Sequence, residues 1–536
     1  YDPQTRIWSG VNRAPVLNPL GNLGQIILDI LARTPNQITQ IYADNDSHMT
    51  CAEMRLRSIR VAQNLTRMDY RKNDMIAFVT GNCENLAPVV FGCLMTGVII
   101  NPMNSQIEPD DLLHMMNITR PKLVFCLNSN LKMVTEAVKK LSLNAQTVIF
   151  ESEEFLQKFL RETGDEHKFS CDNLGESGDK LIAAVVGSSG TTGTSKGVIL
   201  THGQLIAQND SFNIPKVSGL LNFSSLNWMS GWMYLMKGTL DGLTRVITHS
   251  SFDSELAFKI IEKYKITSLF SGPYFIRQMI QNFNTTKTYN ISTLKFIVSA
   301  GNLLSNTIKS EFCEVFPNIK LYDAYGMTEA AGCITSETII NKFGTSGSAV
   351  SSMKMKIVDE DGSALATAGI GELMWKYSIA PLGYYGDPKA TSTLITADGW
   401  CHSGDLGYID SDGTLTIVGR RKELYKYNGI QITPMEIENL IIEIEGVLQV
   451  KVVGIFDSYS ANDLAAAIVV KNKDSNLTED IILNYVNSRV PDYKQLRAGV
   501  FFIDQMPMTY SGKIRSGIIQ ELAAKLHNQR QRQLNN

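Results

Sequence analysis

From residue 51 onward, short apolar runs alternate with longer stretches in which apolar positions recur every three or four residues. Residues 24–32 and 54–65 carry the helical period, whereas 75–80, 122–126, 147–150 and 181–186 read as short buried strands. The alternation resumes with a helix over 254–264, a strand over 266–270, a helix over 274–281 and a strand over 294–299. Such alternation predicts an α/β fold with a largely parallel sheet. The most apolar window, 86–100, is interrupted by Pro88, Gly92 and Gly97. It falls short of the roughly 20 apolar residues a membrane helix needs, so a core helix and no membrane span are expected.

Past Gly344 the rhythm shortens to β segments broken by turn signals, Asp359-Glu360-Asp361-Gly362 and Asp410-Ser411-Asp412-Gly413. A β-rich subdomain is expected there. The main boundary is placed at Gly419, giving an N-terminal domain of 1–419 and a small C-terminal α+β domain of 420–536. The first helix of the small domain is signalled by Thr433 as N-cap, Pro434 in the first turn and Glu436 completing a capping box. Ile437, Leu440, Ile441 and Ile444 then line one face. Strands follow at 450–456 and 465–470, and a helix over 521–526 precedes a Gln/Arg/Asn tail expected to be solvated.

Composition narrows the class. A chain of 536 residues, 44% apolar and 19% charged, is globular and too long for one core. A net charge of −3 offers no electrostatic case for nucleic acid or an anionic membrane. The eight cysteines form no Cys-x-x-Cys pair, so reduced thiols in an intracellular, cytoplasmic setting are expected. The final residues, Gln533-Leu534-Asn535-Asn536, do not form a Ser-Lys-Leu peroxisomal address.

Chemistry concentrates in five stretches. Directly behind the strand at 181–186 lies Ser188-Ser189-Gly190-Thr191-Thr192-Gly193-Thr194-Ser195-Lys196-Gly197-Val198. Its glycines let backbone N–H groups approach an anion, its hydroxyls add donors, and Lys196 adds a compact positive charge. A flexible linker is the plainer alternative. The Walker pattern is excluded, because Lys196 lies between Ser195 and Gly197. In Tyr325-Gly326-Met327-Thr328-Glu329, a carboxylate beside a turn can ligate Mg²⁺, Thr328 can donate to a phosphate, and Tyr325 can stack on a base. In Gly399-Trp400-Cys401-His402-Ser403-Gly404-Asp405-Leu406-Gly407, Asp405 can accept both hydroxyls of a ribose. Gly419-Arg420-Arg421-Lys422-Glu423 brings Arg420 for ribose or α-phosphate oxygens, or else is a solvated basic linker. The last stretch, Ser511-Gly512-Lys513-Ile514-Arg515, reads by itself as a loop with one lysine. Ser299-Ala300-Gly301 ends a strand where backbone can approach a ligand.

Taken in order across residues 188 to 515, these stretches resemble the adenylate-forming superfamily of acyl-CoA synthetases, 4-coumarate–CoA ligases, peptide-synthetase adenylation domains and insect luciferases. The look is that of the insect luciferase-like acyl-CoA synthetase branch. The resemblance implies that ATP phosphates lie in the loop from Ser188 to Lys196 and that Glu329 holds Mg²⁺. It makes Lys422 the hinge about which a mobile small domain turns. Lys513 serves adenylate formation, and Lys426, in Lys426-Tyr427-Asn428-Gly429-Ile430-Gln431, serves the second half-reaction. Asn227 and Trp228 would line the acid pocket with Ser299, Ala300 and Gly301. Catalysis would rest on Lys513, Lys426, Thr328 and Glu329. The implied partners are ATP, Mg²⁺, a small carboxylic acid and CoA, or O₂ if the adenylate is oxidised with light emission. A monomer or weak dimer is expected. A stand-alone module loading a carrier protein and a degenerate nucleotide or lipid sensor are the further alternatives.

The chain departs from the family pattern at four places. Ser195 replaces a proline, Glu423 an aspartate and Met508 a lysine, while Asn227 and Trp228 stand where beetle luciferases carry two histidines.

Overall fold

The computed structural model describes residues 1–171, 174–188, 195–212, 218–283, 289–457, 459–472, 475–507 and 514–534. Three sheets build its larger part. The first runs in the order Gln146–Ile149, Leu123–Cys126, Met75–Val79, Ile99–Met103, Ile182–Ser188 and Lys196–Thr201. Its neighbours are parallel except the last two, which pair antiparallel on either side of the glycine-rich stretch. The second sheet has nine strands, and its parallel centre sets Phe296–Ser299 between Ser268–Ser271 and Lys320–Met327. The third is antiparallel, ordered Trp8–Ser9, Met353–Val358, Gly371–Tyr377, Cys401–Ile409 and Leu415–Arg420. It is the β-rich part expected past Gly344, but one edge is supplied by the N-terminus.

Met75–Val79 and Leu123–Cys126 are buried at every position because helices cover both faces of a parallel sheet. Every residue of the helix Leu86–Thr96 is buried. Gly92 lets this helix press against Cys51–Arg67, since a Cβ there would lie 2.6 Å from Val61 Cγ1. The helix stops where Gly97 takes φ +71°, and Ile99 and Ile100 already belong to the next strand. The apolar window 86–100 is therefore a helix, a left-handed glycine turn and the start of a strand, not one core helix.

The small C-terminal part packs Val447–Asp457, Asn462–Lys471 and Gly499–Phe502 against the helices Pro434–Ile442, Glu479–Asn487 and Ser516–Leu534. Two expectations need correction here. Thr433 is the N-cap, but it makes no side-chain cap bond, and Glu436 pairs with Lys494, so no capping box forms. Pro434, with its fixed φ, opens the helix instead. The C-terminal tail is not merely solvated: the helix runs on to Leu534, anchored by Arg530 to Glu479 at 2.7 Å and to the Val500 carbonyl at 3.0 Å. Among the described residues no helix is long and apolar enough to cross a membrane.

Candidate active site

The strand Lys320–Met327 leaves the parallel sheet after Asp323 and pairs antiparallel with Gly332–Ser336, with an irregularity between Tyr325 and Gly326. Gly326 is required there, because a Cβ would stand 2.1 Å from the Gly332 carbonyl oxygen. One 3₁₀ turn, Thr328–Ala330, then carries half-buried Thr328 and buried Glu329. Gln208 pins this turn from behind, donating to the Ala330 and Cys333 carbonyls at 2.8 and 3.1 Å.

Two other motifs meet this one. The Tyr325 hydroxyl donates to Asp405 Oδ2 at 2.6 Å, and Arg420 Nε lies 3.2 Å from Asp405 Oδ1. Asp405 and Arg420 are direct partners on antiparallel strands, so sheet register fixes the pair. Burial, and then the Asp405 carboxylate, push the Tyr325 hydroxyl well above its ordinary range, so it remains a donor at neutral pH. Glu372, buried and absent from the motifs, shapes the approach to Asp405. It accepts the Gly404 N–H at 3.2 Å and pairs with Arg421 at 3.1 Å.

Ser188 ends one strand of the hairpin that flanks the glycine-rich stretch and accepts the Lys196 N–H at 3.4 Å as the other begins. His114 Nε2 lies 2.7 Å from the Ser195 carbonyl oxygen and so reaches the loop's exit. The Lys196 ammonium lies 4.7 Å above the centre of the Tyr384 ring, and the Tyr384 hydroxyl donates to Glu329 Oε1 at 2.9 Å. Tyr384 thus joins the end of the glycine-rich stretch to Glu329. No charge or spacing signal marks it in the sequence. Ser189, Gly190, Thr191, Thr192, Gly193, Thr194 and Lys513 lie outside the described residues.

Ser271, Ser299 and Asp323 form one row across three adjacent parallel strands, at their carboxyl ends. All three are buried, and among the described residues Ser271 Oγ, Ser299 Oγ and Asp323 Oδ1 have no hydrogen-bond partner. Burial and the nearby Glu337 push the Asp323 carboxyl well up. Carboxyl ends of parallel strands are where open α/β sheets receive ligands. Ser299 is marked in the sequence by its strand-end position; Ser271 and Asp323 show only once register aligns them. Ala300 and Gly301, at φ +94°, follow directly.

Asn227 accepts the Ser225 hydroxyl in a turn, and half-buried Trp228 is the N-cap of Met229–Leu240. Lys422 is exposed in the turn Arg421–Glu423. The chain changes sides across it. Arg420 ends a strand of the five-stranded sheet, whereas Glu423 accepts from Lys451 at 2.8 Å and from Ser516 at 3.2 Å. Lys426 is exposed on the hairpin Tyr425–Tyr427/Ile430–Ile432, its N–H bound to Asp463 at 2.8 Å. Among the described residues no hydrogen bond or ion pair joins Lys426 to Asp405 or Glu329.

Among the described residues no group of three or more His, Cys, Asp or Glu side chains could hold a metal by itself. A lone buried carboxylate such as Glu329 fits Mg²⁺, which is commonly held by one or two carboxylates together with substrate phosphates.

The family model described as "AMP-binding enzyme" matches residues 29–385, and "AMP-binding enzyme C-terminal domain" matches 436–513. Luciferin 4-monooxygenase of Photinus pyralis is 31% identical over 92% of this chain and 92% of its own. The 4-coumarate–CoA ligase-like 9 of Arabidopsis thaliana is 30% identical over 88% of this chain and 85% of its own. In fold, ATP-bound MatB from Rhodopseudomonas palustris superposes with a TM-score of 0.82 at 22% identity, covering 94% of this chain and 99% of that one.

Proposed function

The chain belongs to the AMP-binding enzyme family, and on that premise we propose that it activates a small carboxylic acid with ATP and passes the acyl group to CoA. The observation that carries this reading is the meeting of four motifs spread between residues 188 and 423. Tyr325, Asp405 and Arg420 form one polar cluster, and Lys196, Tyr384 and Glu329 form the next.

In the first step a carboxylate oxygen attacks the α-phosphorus of ATP, and pyrophosphate leaves with the electrons of the broken P–O bond. Asp405 accepts from the ribose hydroxyls, and the Tyr325 ring lies along the adenine. Thr328 donates to the α-phosphate. Lys196 and the loop from Ser188 neutralise the phosphates, and Lys513 reaches the carboxylate as charge builds. Glu329 would hold Mg²⁺, which would supply positive charge against the phosphates when bound. No general base is needed, because the nucleophile is already ionised and positioning does the work. The acid lies against Ser299, Ala300 and Gly301, with Asn227 and Trp228 shaping its far wall.

For the second step the small domain turns about Lys422 and Lys426 enters the cleft. The CoA thiolate then attacks the acyl carbon, releasing AMP. Use of ATP and CoA sets the reaction inside the cell, and because one chain carries a full set of residues, a monomer or weak dimer suffices.

AMP release measured with a panel of fatty and aromatic acids, with and without CoA, tests the proposal. Acid-dependent AMP that rises with CoA is expected. The likeness to luciferin 4-monooxygenases favours a second reading, oxidation of a luciferyl-adenylate by O₂, so the same reactions belong in a luminometer with candidate luciferins. Light independent of CoA would replace the ligase reading with this one. Neither signal would overturn both.

A further inference from the structure

We infer that Tyr384 is a positioning residue that keeps the Lys196 ammonium and the Glu329 carboxylate apart, so that both stay available to one nucleotide triphosphate. The inference rests on the proposed role of Lys196 and Glu329 in nucleotide binding. Its basis is the arrangement of the three side chains. Lys196 faces the ring at 4.7 Å, while the hydroxyl on the ring's rim donates to Glu329 Oε1 at 2.9 Å. The phenol therefore satisfies the cation through its π face and the anion through its proton. Among the described residues no ion pair links Lys196 to Glu329, although both contact the same tyrosine.

The backbone holds the ring in that place from two sides. The strand that leaves the phosphate loop is bridged to it: Tyr385 N–H donates to the Gly197 carbonyl at 2.7 Å and Ile199 N–H to the Gly383 carbonyl at 3.0 Å. On the other side the Tyr384 N–H donates to Thr391 Oγ1 at 2.9 Å. Gly383 makes the approach possible, at φ +90° with Thr391 within 2.3 Å of where a Cβ would stand. A lysine free to swing and a carboxylate freed of its donor would pair with each other. A triphosphate would then have to break that pair before binding.

AMP lacks the β- and γ-phosphates, so its affinity should not depend on this separation. The test is equilibrium calorimetry on the full chain with α,β-methylene-ATP plus Mg²⁺, and with AMP alone. Tyr384→Leu is expected to bind the triphosphate analogue about tenfold more weakly, the effect of an ion pair worth about 1.4 kcal/mol, while AMP affinity stays within about twofold. Tyr384→Phe retains the ring under Lys196 and should stay within about threefold for both. In a Lys196→Met background, Tyr384→Leu should add no further loss. Equal losses for AMP and the analogue would reduce Tyr384 to a packing residue and overturn the inference. So would undiminished affinity of Tyr384→Leu, or an unchanged loss in the Lys196→Met background. A wild-type chain that binds neither nucleotide would contradict the nucleotide reading itself, and the spacer role with it.

Discussion

Lys309→Met should be among the most damaging conservative changes outside the site. Lys309 lies on the helix Asn306–Val315, its side chain 4% exposed, and its ammonium reaches Glu337 Oε1 and Oε2 at 2.6 and 2.5 Å. Glu337 is wholly buried and also accepts the Asp323 N–H at 2.7 Å, two residues before Tyr325. Methionine nearly matches the volume of lysine but leaves the buried carboxylate without its cation. Stranding one partner of a buried pair costs about 3–5 kcal/mol, a large part of the 5–15 kcal/mol that typically holds a domain together. The assay is urea unfolding followed by tryptophan fluorescence, repeated at pH 7 and pH 5. Burial already holds the Glu337 carboxyl above its ordinary range, and losing Lys309 raises it further. The deficit should therefore shrink as pH falls and Glu337 takes a proton. Adding Glu337→Leu should recover most of the loss, because the hole then holds no charge. A deficit under about 1 kcal/mol at pH 7, or one that grows at pH 5, would refute the reasoning.

Three further outcomes follow from particular contacts. His202 is buried, its Nδ1 accepts the Leu23 N–H at 3.1 Å, and burial depresses its pKa to about 3 from an ordinary 6.5. Because the folded value lies below the unfolded one, its neutral form contributes stability above about pH 6.5 that is lost as pH falls towards 3. Wild type should lose about 1.4 kcal/mol per pH unit in that window relative to His202→Gln, and parallel denaturation curves for the two would contradict this. Asp405→Ala should weaken ATP binding about 10- to 100-fold through lost charged hydrogen bonds and leave the apparent affinity for the acid unchanged; an unaltered KM for ATP would remove Asp405 from the ribose site. Gly326→Ala drives a Cβ to 2.1 Å from the Gly332 carbonyl, so the turn carrying Thr328 and Glu329 must move. Activity should fall about a hundredfold with circular dichroism unchanged, and a fully active variant would show that the turn is not under that constraint.

Local chemistry made much of the fold and site legible. Parallel strands announced themselves as short apolar runs, and Gly326, Asp405 and Lys196 stood in stretches whose residue types match phosphate and ribose. What stayed hidden depends on register and distance. Ser271 and Asp323 gain meaning only when three strands align Ser271, Ser299 and Asp323 in one row. Tyr384 and Glu372 act on residues 55 and 32 positions away, and a half-buried tyrosine or a buried glutamate looks in sequence like any other. The window 86–100 misled because a buried helix and a buried strand share the same apolar composition, and only Gly97 divides them. The capping box failed for a tertiary reason: Lys494 competes for Glu436.

The central claim is that a carboxylate oxygen attacks the α-phosphorus of ATP. It is tested most directly with an acid accepted in the AMP-release assay, labelled with ¹⁸O in both carboxylate positions. If an acyl-adenylate forms and CoA then attacks its carbonyl, one labelled oxygen stays on phosphorus, and mass spectrometry should find AMP carrying a single ¹⁸O. AMP without label, released at the same rate, would mean that water and not the acid attacks ATP, and would contradict acid activation by this chain.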